Sequence, residues 1–224
     1  MMHLKRILVV GLLTCVPFKA GVAQTDPNGD LPFLGTPPIV DQERADKKRV
    51  EAAKAAKPPK PAFELAKDLD GLFLQLSKTS SSRRGERISD RIWELWRESD
   101  SKSVDLLTGW ARSAMAGKRF TQALDLLDQV VYLRPEFAEG YNQRATLHFV
   151  MENYAKSIVD IERTLALEPR HYGALAGLAA IFERLNQKER ALDTWYRTLA
   201  VYPAMKNAQN SVIRLEEELA GSGI

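Results

Sequence analysis

Cysteine is almost absent from this chain, and its scarcity narrows the class of fold. Cys15 is the only cysteine among 224 residues, so an intramolecular disulfide cannot form. Long apolar runs are also missing, because the longest, Ile7 to Val16, has about ten residues where a bilayer span needs roughly twenty. With 45% hydrophobic and 27% charged residues, the composition excludes a disulfide-stapled, collagen-like or fully disordered chain.

An excess of positive charge is missing too, once the N-terminus is set aside. Lys5 and Arg6 precede the apolar run, and small residues follow it as far as Ala23, which predicts a signal peptide over residues 1–23 and export to the periplasm or beyond. Its removal takes Lys5, Arg6 and Lys19 from 32 basic residues and leaves 29, equal to the 29 acidic ones. Nucleic acid is therefore not an expected partner.

Two alternatives to the cleaved signal peptide stay open. The same segment could form a buried N-terminal helix. Alternatively, Cys15 could become the lipidated first residue of a lipoprotein, although Thr14 is larger than the residue usually found before such a cysteine.

Residues 24–62 combine proline-rich pieces with a charged segment and carry almost no apolar stripe, which predicts a flexible tether. The alternative is a docking tail for an anionic envelope surface or a partner. Its basic residues are Lys47, Lys48, Arg49, Lys54 and Lys57.

Beyond the tether, prolines occur only at Pro135, Pro169 and Pro203, each 34 residues from the next. Apolar residues recur every three or four positions, which predicts an all-α body. Small residues align at this period in the first helices (Ala111, Ala145, Ala179) and in the second helices (Ala123, Ser157, Ala191), followed by bulky Leu127, Ile161 and Trp195. Such columns favour closely packed helix pairs.

The 34-residue period and these columns resemble the tetratricopeptide repeat (TPR) family, and Tyr154 to Pro169 is the clearest match to its second helix. Trp110 and Arg144 depart from the pattern, which usually has leucine there. The resemblance implies an all-α, right-handed superhelix of antiparallel helix pairs. Its expected parts are repeats at 104–137, 138–171 and 172–205, a degenerate pair at 63–103, and a capping helix and tail at 206–224.

Residues that support catalysis are scarce, so we expect no enzyme activity, no cofactor and no metal site. We expect His148 to pack between helices and His171, at a helix start, to be partly exposed. Arg144 is expected to be largely buried and paired with Asp128 or Asp160, and the alternative is an arginine that faces a ligand.

Trp93 and Trp96 are expected to cover the open end of the repeat stack near Leu107 and Trp110. If both indoles were exposed, the alternative would be an interaction site.

The resemblance implies a concave groove, lined by first helices, that binds a peptide or a partner helix. The expected groove residues are Asp105, Thr108, Arg112, Asn142, Gln143, Thr146, Phe149 and Arg184, beside the small Gly173, Ala176, Gly177 and Ala180. Because Thr108, Gly173 and Gly177 replace the cationic residues of the family's carboxylate clamp, that subtype is not expected. Arg112, Asn142 and Gln143 are expected to tolerate alanine without loss of stability.

The sequence thus predicts a non-catalytic protein-interaction scaffold or adaptor of the bacterial cell envelope. One alternative is an outer-membrane assembly lipoprotein. Another is a regulatory subunit of an envelope enzyme, such as one that acts on peptidoglycan.

Overall fold

The described part of the chain consists of nine α-helices, which confirms the all-α prediction. A computed structural model describes residues 47–48, 51 and 62–221; the predicted signal peptide, Cys15 and nearly all of the tether lie outside the described residues. The helices are α1 (Ala62–Ser77), α2 (Ser82–Trp96), α3 (Lys102–Ala116), α4 (Phe120–Leu133), α5 (Ala138–Val150), α6 (Tyr154–Leu167), α7 (Tyr172–Arg184), α8 (Lys188–Val201) and α9 (Lys206–Gly221). No helix in these ranges is long and apolar enough to cross a membrane.

The helix ends repeat with the same spacing as the prolines. The second helices α4, α6 and α8 each end two residues before a proline, which lacks an N–H and restricts the residue before it. In each turn between paired helices one residue adopts a positive φ. These residues are Lys118, Glu152 and Asn186. The pairs α3/α4, α5/α6 and α7/α8 therefore share one backbone geometry.

The predicted small columns form the helix–helix contacts. Ala111, Ala145 and Ala179 are buried, as are Ala123, Ser157 and Ala191, and this lets neighbouring helices approach closely. The bulky column of Leu127, Ile161 and Trp195 is also buried. Helix α9 closes the C-terminal end by burying Ala208, Val212 and Leu215.

The α1/α2 hairpin does not continue the stack. Gly85 lies against the ring of Tyr202, at the end of the third repeat, and the Ser89 hydroxyl is 2.8 Å from that of Tyr172. Just beyond α2, the Ser99 hydroxyl donates to Asp105 Oδ1 in the first turn of α3 at 2.6 Å. Helix α2 therefore crosses the starts of the first helices, from the third repeat towards the first.

The predicted location of the two tryptophans is wrong, although Trp96 is indeed a buried packing residue. Trp96 stacks on His171 with ring centroids 4.0 Å apart, and Trp93 meets Tyr172 edge-on at 5.9 Å. Trp110 stays 53% exposed. The indoles pack at the third repeat because it offers an aromatic surface that the repeat period does not mark.

Candidate functional site

Helices α5 and α7 line the hollows of the groove, and α2 packs on the N-terminal end of α7. A Cβ atom on Gly173 would lie 2.7 Å from Cζ2 of Trp93, so the missing side chain lets the indole rest directly on α7. The chain therefore fills part of its own groove. The groove near the N-termini of the first helices, called here its N-terminal part, differs from its C-terminal part, near their C-termini.

A buried carboxylate, Glu139, lies beside His171, on which Trp96 of α2 stacks. Asn142 Nδ2 donates to its Oε2 at 2.8 Å, and Gln143 Nε2 donates to its Oε1 at 2.9 Å. The three residues share one helix face because they are spaced by three and four positions. The predicted exposure of Asn142 and Gln143 is therefore wrong. Since each amide is the hydrogen-bond partner of a buried carboxylate oxygen, alanine at either position is expected to destabilise the fold.

His171 is 0% exposed, so the prediction of partial exposure is also wrong. Its Nδ1 accepts a hydrogen bond from the backbone N–H of Ala174 at 3.0 Å and thereby caps α7. Its other ring nitrogen, Nε2, lies 3.4 Å from Oε2 of Glu139. The sequence places His171 at a helix start, and in the fold the rings of Trp93 and Trp96 on α2 pack against it.

Two further predicted groove residues already form hydrogen bonds within the chain. Thr108 is buried, and its hydroxyl donates to the Val104 carbonyl at 2.6 Å, so its predicted exposure in the groove is wrong. Asp105 is half-buried and accepts hydrogen bonds from the hydroxyl and N–H of Ser99 at 2.6 and 3.1 Å.

The C-terminal part of the groove remains open. Thr146 and Arg184 are exposed there and Phe149 is half-buried, whereas Arg112 is exposed but lines neither hollow. Phe149 lines both a small pocket of about 130 Å³ and a wider cavity of about 840 Å³. The small residues Gly177 and Ala180 also line both hollows and form a smooth floor between them.

Helix α9 supplies groove residues that the sequence analysis missed. Asn207, Asn210 and Arg214 line the wider cavity. Their spacing of three and four places them on one face of α9, beside the buried stripe that contains Ala208 and Val212. That spacing is the signal in the sequence that indicates a second role for α9 besides capping.

Arg184 is an uncommitted positive charge beside this floor. It makes no ion pair with any described residue, whereas Arg214 at the same cavity pairs with Glu183 and with Glu218. Glu183 also accepts a hydrogen bond from Trp195 Nε1 at 2.6 Å. A partner that carries negative charge would therefore meet Arg184 without displacing an existing pair.

Arg144 makes the predicted ion pairs, away from the open groove. Its Nε and Nη2 donate to the two carboxylate oxygens of Asp160 at 2.8 and 2.7 Å, and Nη1 donates to Asp128 at 2.8 Å. The hydrogen bonds to Asp160, more than any other interaction, raise the pKa of Arg144. His148 is buried, as predicted, and burial lowers its pKa.

Stacked helix pairs with an open groove of small, aromatic and cationic side chains define a helical-repeat binding module. The chain is 45% identical over 154 residues to a TPR repeat-containing protein of Rhizobium etli, covering 69% of this chain and 76% of that protein. The chain belongs to the tetratricopeptide repeat family. No family model matches it.

A second similarity is partial. A 2,3-bisphosphoglycerate-dependent phosphoglycerate mutase of Borrelia garinii is 30% identical over 111 residues, which cover 47% of this chain and 45% of the mutase. Because more than half of the mutase has no counterpart in the alignment, the match assigns no activity.

Solved structures share the fold at low sequence identity. The first TPR domain of Spaghetti (RPAP3), bound to an HSP90 peptide, has a TM-score of 0.51 at 20% identity and covers 54% of this chain and 95% of that domain. The TPR domain of Sgt2 from Aspergillus fumigatus has a TM-score of 0.51 at 16% identity, over 55% of this chain and 83% of its own length.

Proposed function

We propose that this protein is a non-catalytic interaction scaffold that binds a segment of a partner protein in the open, C-terminal part of its groove. The observation that carries the proposal is the wide cavity between α7 and α9, which α2 leaves uncovered. Family membership supports the same class of function.

The lining of the cavity indicates what kind of segment it accepts. An apolar side chain of the partner can pack on Phe149 and the floor at Gly177, where no large side chain stands in its way. Exposed Asn207 and Asn210 can satisfy the backbone donors and acceptors of an extended peptide. Arg184 favours a segment that carries a nearby carboxylate. The peptide bound to the Spaghetti domain supports this mode of binding.

The proposed place of action is the cell envelope, and the N-terminal sequence motivates it. Mass spectrometry of the protein recovered from cells would test export directly. We expect a mature chain that begins near Gln24. An N-terminus at Met1, or a lipidated Cys15, would refute cleavage after Ala23.

Site-specific photocrosslinking tests the groove itself. A photoreactive residue at Arg184 should trap a partner in living cells, and the same residue at Arg197 serves as the matched control. Arg197 is also exposed but lines a different cleft, between α6 and α8. Equal adducts from both positions, or none from Arg184, would contradict binding in the groove.

A further inference from the structure

The first repeat leaves uncovered a face that the other two repeats bury. Leu106 and Trp110 on α3 are 51% and 53% exposed. Two repeats further on, Ala174 and Leu178 occupy the same positions of α7 and are buried against the preceding repeat. The preceding element that would cover α3 in the same way is missing among the described residues, because α2 docks on the third repeat instead.

The second helix of the first repeat shows the same contrast. Leu126 is half-buried, whereas its equivalents Asp160 and Thr194 are almost fully buried. Leu133, near the end of α4, is exposed as well. A terminal repeat normally turns a polar surface to solvent. This face instead has the composition of an interior contact.

We propose that this surface, called here the first-repeat face and formed by Leu106, Trp110, Leu126 and Leu133, binds the first-repeat face of a second copy of the chain. This surface is equivalent to the one by which the second and third repeats each pack against the repeat before them. In a two-fold arrangement both copies contribute the same surface, so assembly stops at the dimer.

The sequence of α3 is self-complementary in such an arrangement. If two α3 helices pair antiparallel about an axis between residues 109 and 110, each Trp110 lies opposite Gly109 of the second copy. Each Leu106 then lies opposite Ser113 of the second copy. Large side chains thus face small ones, and apart from its chain neighbours and the backbone of α3 no atom lies within 4 Å of the position that a Cβ on Gly109 would take, so room exists for an indole.

Other occupants fit this face less well. A second copy that added head to tail would meet α9 and not the repeat itself, because α9 already covers the end of the third repeat. The N-terminal tether, residues 24–62, carries almost no apolar stripe to lay on four large apolar side chains. The two-fold pairing of first-repeat faces needs neither a free end of the third repeat nor an apolar stripe in the tether.

The area of the face sets the expected strength. Helices of 14 and 15 residues are about 21 Å long. Two of them side by side, each about 10 Å wide, present a face of roughly 400 Å². Two copies would bury about 800 Å², which is below the standard size of a stable interface. We therefore expect a reversible dimer with a Kd on the order of 10–100 μM.

Sedimentation of the purified full-length protein across a range of concentrations from about 1 to 500 μM tests the proposal. The mass should rise from monomer to dimer, and Trp110→Glu should weaken association at least tenfold without changing the helical circular dichroism. Tyr132→Glu is the matched control, because Tyr132 is 84% exposed on α4 and its equivalents Ala166 and Ala200 are exposed too. A monomer at every concentration would overturn the proposal, as would a Trp110→Glu protein that dimerises like the wild type.

Disulfide trapping tests the register independently. On a Cys15→Ser background, a mixture of Leu106→Cys and Ser113→Cys proteins should form the mixed disulfide faster than either protein forms its own. Tyr132→Cys should cross-link no faster than random collision allows. A mixed disulfide no faster than that control would refute the antiparallel pairing.

Discussion

Arg144 and Asp160 form an ion pair whose replacement the third repeat already contains. The Asp160 side chain is only 4% exposed and that of Arg144 21%, and two hydrogen bonds join them. At the equivalent positions the third repeat has Leu178 and Thr194, both buried. The chain therefore offers its own template for testing what the pair contributes.

Arg144→Leu should destabilise the protein strongly, because it leaves the Asp160 carboxylate buried without its cation. Breaking a buried pair from one side costs about 3–5 kcal/mol, and the partial exposure of Arg144 favours the lower end. For a domain of this size, a loss of about 3 kcal/mol lowers the Tm by roughly 6–12 °C. The double variant Arg144→Leu/Asp160→Thr should return to within about 1 kcal/mol of the wild type, since it removes both charges together.

Urea unfolding followed by circular dichroism gives the free energies, and the double-mutant cycle gives the coupling between the two residues. Asp128→Ala is the control: its side chain is 56% exposed, and its loss should cost less than about 1 kcal/mol. A double variant as unstable as Arg144→Leu alone would refute the reasoning. So would an Arg144→Leu protein within about 1 kcal/mol of the wild type.

Two further variants test packing and protonation. Gly173→Ala should lower stability by about 1–3 kcal/mol, because its Cβ would meet the Trp93 ring at 2.7 Å. Gly177→Ala in the same helix has its nearest neighbour 3.7 Å away and should raise stability by up to about 1 kcal/mol. Equal thermal shifts for the two variants would contradict the docking of α2. Burial lowers the pKa of His148, so the unfolded chain takes up a proton first, and stability should fall as the pH drops from about 6.5 towards the lower pKa of the folded state. His148→Phe, which copies Phe182 in the next repeat, should make urea stability less dependent on pH between about 7 and 5, and an unchanged slope would count against this explanation.

The repeat stack could be predicted from the sequence because its determinants are local. Each helix contacts its neighbours in the chain, so the small columns and the prolines recur at one period and specify the same packing each time. The pairing of Arg144 could be predicted for the same reason, since Asp128 and Asp160 lie on the adjacent second helices.

The docking of α2 could not be predicted in this way. It depends on contacts such as that between Ser89 and Tyr172, which are 83 residues apart and belong to no repeating column. The same contact surface stacks Trp96 of α2 on His171, which is fully buried. Phe149 and Arg184 line the wide cavity, away from the residues that α2 contacts, and their part in binding stays a prediction.

The affinity of the trapped partner segment for a groove-blocked variant tests the central claim most directly. Ala180 lines both the small pocket and the wide cavity, and an arginine there would fill the floor between them. We expect calorimetric titration to give a Kd at least tenfold weaker for Ala180→Arg than for the wild type, which corresponds to about 1.4 kcal/mol. Tyr132→Arg on the far side of the first repeat should bind like the wild type. Equal affinity of the Ala180→Arg and wild-type proteins would contradict binding in the open groove.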